Sequence, residues 1–408
     1  MEIWIDIAGL EKAQSLFNIS PLERHLRALK RLKPAPSRIV LSGPEGSASS
    51  VPRRTGAPEL IVDDTPLAAR LARYLKGEAK EDVLVIDATS LVDPRLPVHL
   101  NKAGPSLAAR TGEGPEQGAL MRLAHGDDLE IPAAPQSVLE LANTLLDTGA
   151  VNELKQEDFP GFISNLRRTN PFYVSHIPSS EAARQREQKM FKDNYKGSTD
   201  FLTKWVYPSL VWPLVQLCTR FNIHPNTVTI IGIFCTITAV PLFMDARFGV
   251  GLIFAYVMSV LDSVDGKVAR LTLTDSPIGN VLDHGLDIVH PPFWYLAWAW
   301  GMTGGDTSAP IFIAALLMTG FYIGDRLVLM VAKAHYGRGL HAVTALDGVI
   351  RTVIARRNTI LVILTVGYLL GFMEIAFYIV VAWQGLTMAW HGWRTIYLWR
   401  LAESPNIS

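Results

Sequence analysis

Apolar residues are distributed in two different ways along this chain. Over residues 1–170 they come in short runs set among charged residues and prolines. The runs at 37–42 (Ser-Arg-Ile-Val-Leu-Ser) and 82–87 (Asp-Val-Leu-Val-Ile-Asp) have the length and apolar density of strands buried on both faces of a parallel sheet. Residues 21–32 repeat apolar positions at helical spacing and present one apolar face. Strand alternating with helix predicts a soluble α/β domain on a doubly wound sheet. Residues 47–55 and 103–118 are rich in Gly, Ser, Pro and Ala and are expected to be loops.

From His224 onward the apolar runs lengthen and carry Trp and Tyr. Those at 227–244, 248–262, 279–302, 310–331, 359–372 and 375–393 are expected to span a membrane. A span needs about 20 residues, so the fifth run must borrow from its flanks or meet a thinned bilayer. Upstream, residues 179–196 predict a charged helix whose Arg184, Arg186, Lys189, Lys192 and Lys196 suit an anionic lipid surface. Residues 200–221 mix Trp205, Tyr207, Trp212 and Phe221 with Lys204 and Arg220, and Pro208 and Pro213 interrupt them. That is the pattern of a helix lying in the interface. The fold class expected is therefore an α-helical integral membrane domain of six transmembrane helices (225–400). A soluble α/β domain (1–170) precedes it, followed by a linker and interfacial juxtamembrane helix (171–224).

Composition refines this picture. Lys plus Arg is 38 and Asp plus Glu is 38, so net charge points to no polyanionic partner and no nucleic acid. Cys218 and Cys235 fall in or beside apolar helices and suggest neither a disulfide framework nor a zinc site. The N-terminus has no basic stretch before an apolar core, so no cleavable signal peptide is expected there. Arg220, Lys267, Arg270, Lys333, Arg338, Arg351, Arg356, Arg357, Arg394 and Arg400 all fall on one side of the expected spans, and the opposite loops hold little beyond Arg247. The positive-inside rule makes that side cytoplasmic, with both termini inside a multi-pass protein of the inner or plasma membrane.

The chemistry is concentrated between the second and third runs. Asp262 and Asp265 are three apart, and Asp283 and Asp287 four apart, so each pair shares one face of a helix. Between them Ser276 reads as an N-cap and Pro277 as a first-turn proline. Two helices joined by a short turn lie side by side, so four carboxylates can converge. Crowded carboxylates in an apolar setting repel unless a cation neutralises them, and hard oxygen ligands suit Mg²⁺, Mn²⁺ or Ca²⁺.

The full spacing is D-x2-D-G-x2-A-R-x8-G-x3-D-x3-D. It resembles the signature of the CDP-alcohol phosphotransferase family of integral membrane enzymes. The resemblance implies transfer of a substituted phosphate from a CDP-alcohol to the hydroxyl of an acceptor alcohol, with release of CMP, in the synthesis of phospholipids or related phosphodiesters. It implies a pair of Mg²⁺ or Mn²⁺ ions on Asp262, Asp265 and Asp283, with Asp287 as catalytic base and further metal contact. Gly266, Ala269, Arg270 and Gly279 are then nucleotide-binding. Pro225-Asn226-Thr227 also resembles the family and adds Asn226 and Thr229 to the nucleotide site. Arg326, Arg356 and Arg357 are candidates for the acceptor pocket. The partners are a CDP-alcohol, an alcohol acceptor and membrane lipid, and related enzymes are often homodimers.

The soluble domain is loosely similar to nucleotidyltransferases that make CDP- or UDP-linked alcohols, with Ile5-Asp6-Ile7-Ala8-Gly9 at the start of the nucleotide loop and Asp87 where a metal-binding Asp stands. No further glycine and no phosphate-cradling base follow Gly9, so the domain is expected to be degenerate and Asp87 to cap a strand end. A bifunctional cytidylyltransferase/phosphotransferase and a cation transporter are the alternative readings.

Overall fold

The computed structural model describes residues 1–51, 58–102, 104–127, 129–164, 166–197 and 199–402, without the side chains at 278, 280, 283, 284, 286 and 402. The chain divides into two compact units, Met1–Ile163 with Thr169–Asp193, and Ser164–Arg168 with Asn194–Ser408.

The first unit is a sheet with helices. Its strands are β1 (Glu2–Asp6), β2 (Arg38–Gly43), β3 (Glu59–Val62), β4 (Val83–Asp87), β5 (Leu107–Thr111), β6 (Gly118–Leu123) and β7 (Asn152–Glu153), in the order β3-β2-β1-β4-β6-β5-β7. The helices α1 (Pro21–Leu29), α2 (Leu67–Gly77), α3 (Val138–Asp147) and α4 (Ser180–Asp193) belong to this unit. Ser20 starts α1 by accepting a hydrogen bond from the Glu23 amide, with Pro21 at the first position. Strand β1 is buried on both faces, Ile3 and Ile5 in one core and Trp4 in the other.

The structure departs from the expected sheet in two respects. Strands β3, β2, β1 and β4 are parallel, but β6 pairs antiparallel with both β4 and β5. Strands joined by a short connection can pair only antiparallel, and only residues 112–117 separate β5 from β6. Strand β5 also lies inside the expected loop 103–118. Its Ala108 and Ala109 enter opposite cores, a placement that small residues with Gly and Pro on either side do not advertise.

At the carboxyl ends of β1 and β4, Asp6 stands opposite Asp87 in the register. Asp6 is held by Arg70 at 2.8 Å, and burial raises its carboxyl pKa despite that cation. Asp87 accepts from the Thr89 amide and hydroxyl and from the Ser90 hydroxyl, the strand-end cap expected of it. Gly9, at φ 77°, leads directly into a 3₁₀ turn at Leu10–Lys12.

The second unit is helical: α5 (Tyr207–Arg220), α6 (Pro225–Met244), α7 (Phe248–Thr272), α8 (Pro277–Thr303), α9 (Pro310–Tyr336), α10 (Arg357–Leu370) and α11 (Met373–Ala402). Each of the six apolar runs has its helix. Among the described residues four helices, α6, α7, α9 and α11, are long and apolar enough to cross a membrane, while α10 is a shorter apolar helix. Their outward faces expose Phe234, Ile237, Ile253 and Leu317, the apolar surface a lipid environment accommodates. Inside, Phe243, Trp294, Trp298 and Phe377 form the core. Backbones approach closely at Gly301, where a Cβ would collide with the Phe243 carbonyl oxygen. Helix α7 ends at Leu273 in the left-handed region (φ 55°), and Ser276 caps α8 by accepting from the Gly279 amide. Among the described residues, the two acidic helices that flank this turn do not pack side by side as expected: each packs against α6.

Candidate active site

Helices α7 and α8 bring Asp262 and Asp287 to a shared cation. The Arg357 guanidinium, at the first position of α10, donates to Asp262 Oδ2 and to Asp287 Oδ1, each at 2.6 Å. Asp287 is the more exposed of the two. Asp265 is 5% exposed and accepts from the Thr229 hydroxyl of α6 at 2.6 Å, and from the Gly266 amide. A charge-assisted hydrogen bond of this length fixes the carboxylate and satisfies it where water is scarce. The side chain of Asp283 lies outside the described residues, and among those residues no three His, Cys, Asp or Glu side chains are close enough to hold one ion.

The donor set nonetheless suits a hard cation. Every candidate ligand is a carboxylate oxygen, and a guanidinium already stands between two of them. That contact shows that Asp262 and Asp287 can close on one positive charge.

The expected nucleotide-binding residues fall on either side of the turn. A Cβ on Gly266 would lie 3.2 Å from Arg270 Nη1, and one on Gly279 would lie 2.6 Å from Asn226 Oδ1. The two glycines therefore leave room for Arg270 and Asn226 respectively. Arg270 donates through Nε to Asn194 Oδ1 at 3.1 Å. Ala269 sits in the last turn of α7, its carbonyl accepting the Leu273 and Thr274 amides. Thr229, expected at the nucleotide, has its hydroxyl engaged by Asp265.

The three arginines of the expected acceptor pocket take separate partners. Arg357 joins the acids. Arg356 reaches Asp200 at 3.5 Å. Arg326 lies over the Tyr322 ring at 4.8 Å, and the Tyr322 hydroxyl donates to the carbonyls of Asp287 and Ile288. Arg351 is crowded by Arg356, Arg167 and Arg326, and burial followed by these charges pushes its pKa well down.

Sequence reasoning missed Asn194, Tyr195 and Asp200. Tyr195 places its ring 3.5 Å from Lys267 Nζ, a cation–π contact. Asp200 is 4% exposed. Burial raises its pKa, but Arg356 and hydrogen bonds from Asn358 and Thr203 outweigh burial and hold it below the usual carboxylate value. The available signal was an aspartate at the head of an otherwise apolar stretch.

The family model described as CDP-alcohol phosphatidyltransferase matches residues 222–392. Cholinephosphotransferase 1 of Gallus gallus is 30% identical over 133 residues, 30% of this chain and 38% of the relative. The chain spans between 24% and 38% of the length of the curated relatives it matches. Among solved structures, phosphatidylinositol phosphate synthase of Mycobacterium tuberculosis with CDP-DAG bound is similar at a TM-score of 0.38 and 18% identity, over 45% of this chain and 92% of that one. A nucleotidyl transferase of Methanothermobacter thermautotroptrophicus is similar at a TM-score of 0.31 and 12% identity, over 47% of this chain and 98% of that one. Through residues 222–392 the chain is similar to the CDP-alcohol phosphatidyltransferase family.

Proposed function

We propose that the helical unit transfers the substituted phosphate of a CDP-alcohol to the hydroxyl of a second alcohol and releases CMP. The observation that carries this reading is the closure of Asp262 of α7 and Asp287 of α8 on one cation, with the Asp265 of the buried Asp265–Thr229 pair on the same α7 helix. The family-model match over residues 222–392 and the likeness to a cholinephosphotransferase support the same chemistry.

Asp262, Asp265 and Asp283 would hold Mg²⁺ or Mn²⁺, with Asp287 in further contact. When bound, such ions neutralise the pyrophosphate and the charge growing on the departing CMP. Arg270, steadied by Asn194, is placed to donate a forked hydrogen bond to phosphate. Asn226 and the bare backbone of Gly279 lie against each other and suit the nucleotide. The acceptor oxygen attacks the phosphorus bearing the first alcohol, the bond from that phosphorus to the CMP oxygen breaks, and Asp287 takes the hydroxyl proton. Its exposure leaves it open to the incoming acceptor. Arg326, Arg356 and Arg357 line the acceptor side and favour an acceptor with an anionic or hydroxyl-rich head.

Six spans, with both termini and the acids on the cytoplasmic side, accord with the one-sided distribution of Arg and Lys. The soluble unit, 1–170 by sequence, reads as a scaffold and not as a cytidylyltransferase, because Asp6 is engaged by Arg70 and the loop after Gly9 is a closed turn. The 171–224 segment joins it to the membrane domain of 225–400. The test is purified full chain in lipid, supplied with Mg²⁺, a panel of CDP-alcohols and a panel of acceptors, with CMP as readout. CMP release that depends on one acceptor class supports the proposal. Release of CMP from no member of the panel overturns it, and CTP consumption without added CDP-alcohol would favour the bifunctional reading.

A further inference from the structure

The family match begins at residue 222, yet the helical unit takes in the chain from Asn194. Polar contacts run from this upstream segment to the site. Asp200 caps the turn that starts at Leu202, accepting from the Thr203 amide at 3.0 Å and from its hydroxyl. The same carboxylate accepts from Asn358 Nδ2 at 2.9 Å and from Arg356 Nη1 at 3.5 Å. The Tyr207 hydroxyl donates to Asn358 Oδ1 at 3.2 Å. Arg356 and Asn358 flank Arg357, the residue that bridges Asp262 and Asp287.

Arg356 is the N-cap of α10 and Arg357 its first residue. Cations at a helix N-terminus oppose the helix dipole, so two arginines there need nearby negative charge. Asp262 and Asp287 supply it for Arg357, and Asp200 supplies it for Arg356. Because Asp200 also grips Asn358, the backbone under Arg357 is held from both sides. Phe201 and Trp205, beside these inward contacts, are 60% and 65% exposed, so the segment shows one polar inner face and one apolar outer face.

We infer that Asp200 is a positioning residue that sets Arg357 between the two catalytic-side carboxylates. Its role rests on the transferase reading above. A cap alone would require only the bonds to Thr203, and the two bonds across to the start of α10 serve no purpose in capping.

The test is a double-mutant cycle of Asp200→Asn with Arg357→Gln in the full chain. Asparagine keeps the cap and removes the charge that holds Arg356. If Asp200 acts through Arg357, Asp200→Asn alone raises the acceptor KM about threefold to tenfold with little change in the KM for the CDP-alcohol. In the Arg357→Gln background it then adds less than about twofold. The melting temperatures of the four proteins should show the same lack of additivity. Effects that multiply in the cycle, or an Asp200→Asn protein with unaltered acceptor KM while Arg357→Gln is impaired, overturn the inference. Should Asp200→Asn fail to fold, Asn358→Ala takes its place in the cycle. A wild type that releases no CMP would sink the transferase reading instead, and additive melting shifts would then sink the positioning role independently.

Discussion

Replacing Thr229 by Val removes one hydroxyl and keeps the side-chain shape. In the native protein that hydroxyl donates to Asp265 Oδ2 at 2.6 Å, with both residues buried in the helical unit. A hydrogen bond to a charged group contributes about 1.5–3 kcal/mol. Loss of a partner that orients a metal-binding carboxylate costs about 10–100-fold in metal affinity, equivalent to about 1.4–2.7 kcal/mol, so the two estimates agree. Thr229→Val should therefore raise the Kd for Mn²⁺, read by electron paramagnetic resonance of the free ion, by about 10–100-fold. Thr229→Ser keeps the hydroxyl and should stay within about threefold of wild type. If Thr229→Val folds and binds Mn²⁺ as wild type does while Asp265→Asn does not, the hydroxyl does not orient the ligand. If Asp265→Asn also binds normally, Asp265 is no ligand at all.

Asp287→Asn removes the proposed base but leaves the CDP-alcohol site, so kcat for CMP release should fall by about 10²–10⁴ with little change in the KM for the CDP-alcohol; a matching loss of metal affinity would make Asp287 chiefly a ligand. Arg357→Gln removes a cation that competes for Asp262 and Asp287, so Mn²⁺ should bind more tightly while the acceptor KM rises, and weaker Mn²⁺ binding would mean that the guanidinium assembles the site instead of competing for it. In the α/β unit, burial lowers the pKa of His25 from 6.5 to about 4, against an opposing pull from Asp87. The unfolded chain then binds the extra proton below pH 6.5 and the folded one only near pH 4, so stability falls as pH drops through that window, by about 3 kcal/mol. Hydrogen exchange of Val83–Asp87, corrected for intrinsic rate, should show this loss in wild type and a flatter profile in His25→Gln; parallel profiles would refute it.

Much of the framework was legible because it is local. Hydropathy located each of the six helices, since a run of apolar residues at helical length has few other uses. The Ser276–Pro277 start of α8 could be read from residue chemistry alone, and the motif spacing named the acids. Other features are not written in any window of sequence. Strand β5 was hidden because Ala108 and Ala109 are small enough to fill a two-sided core without looking like a strand. The tie between Asp200 and Asn358 joins residues 158 apart, and Arg357 was expected in the acceptor pocket with Arg326 and Arg356 and not between the acids. Its place between Asp262 and Asp287 follows from how α10 packs against α7, which tertiary contacts decide.

The central claim is that the acidic motif performs metal-dependent transfer from a CDP-alcohol. Its most direct measurement is CMP release by the purified full chain across a Mg²⁺ titration, with Asp262→Asn and Asp265→Asn proteins alongside. The account predicts release that saturates with Mg²⁺, stops when the ion is chelated, and is abolished in both folded variants. Release that survives chelation, or near-normal turnover by both variants in saturating Mg²⁺, would contradict it.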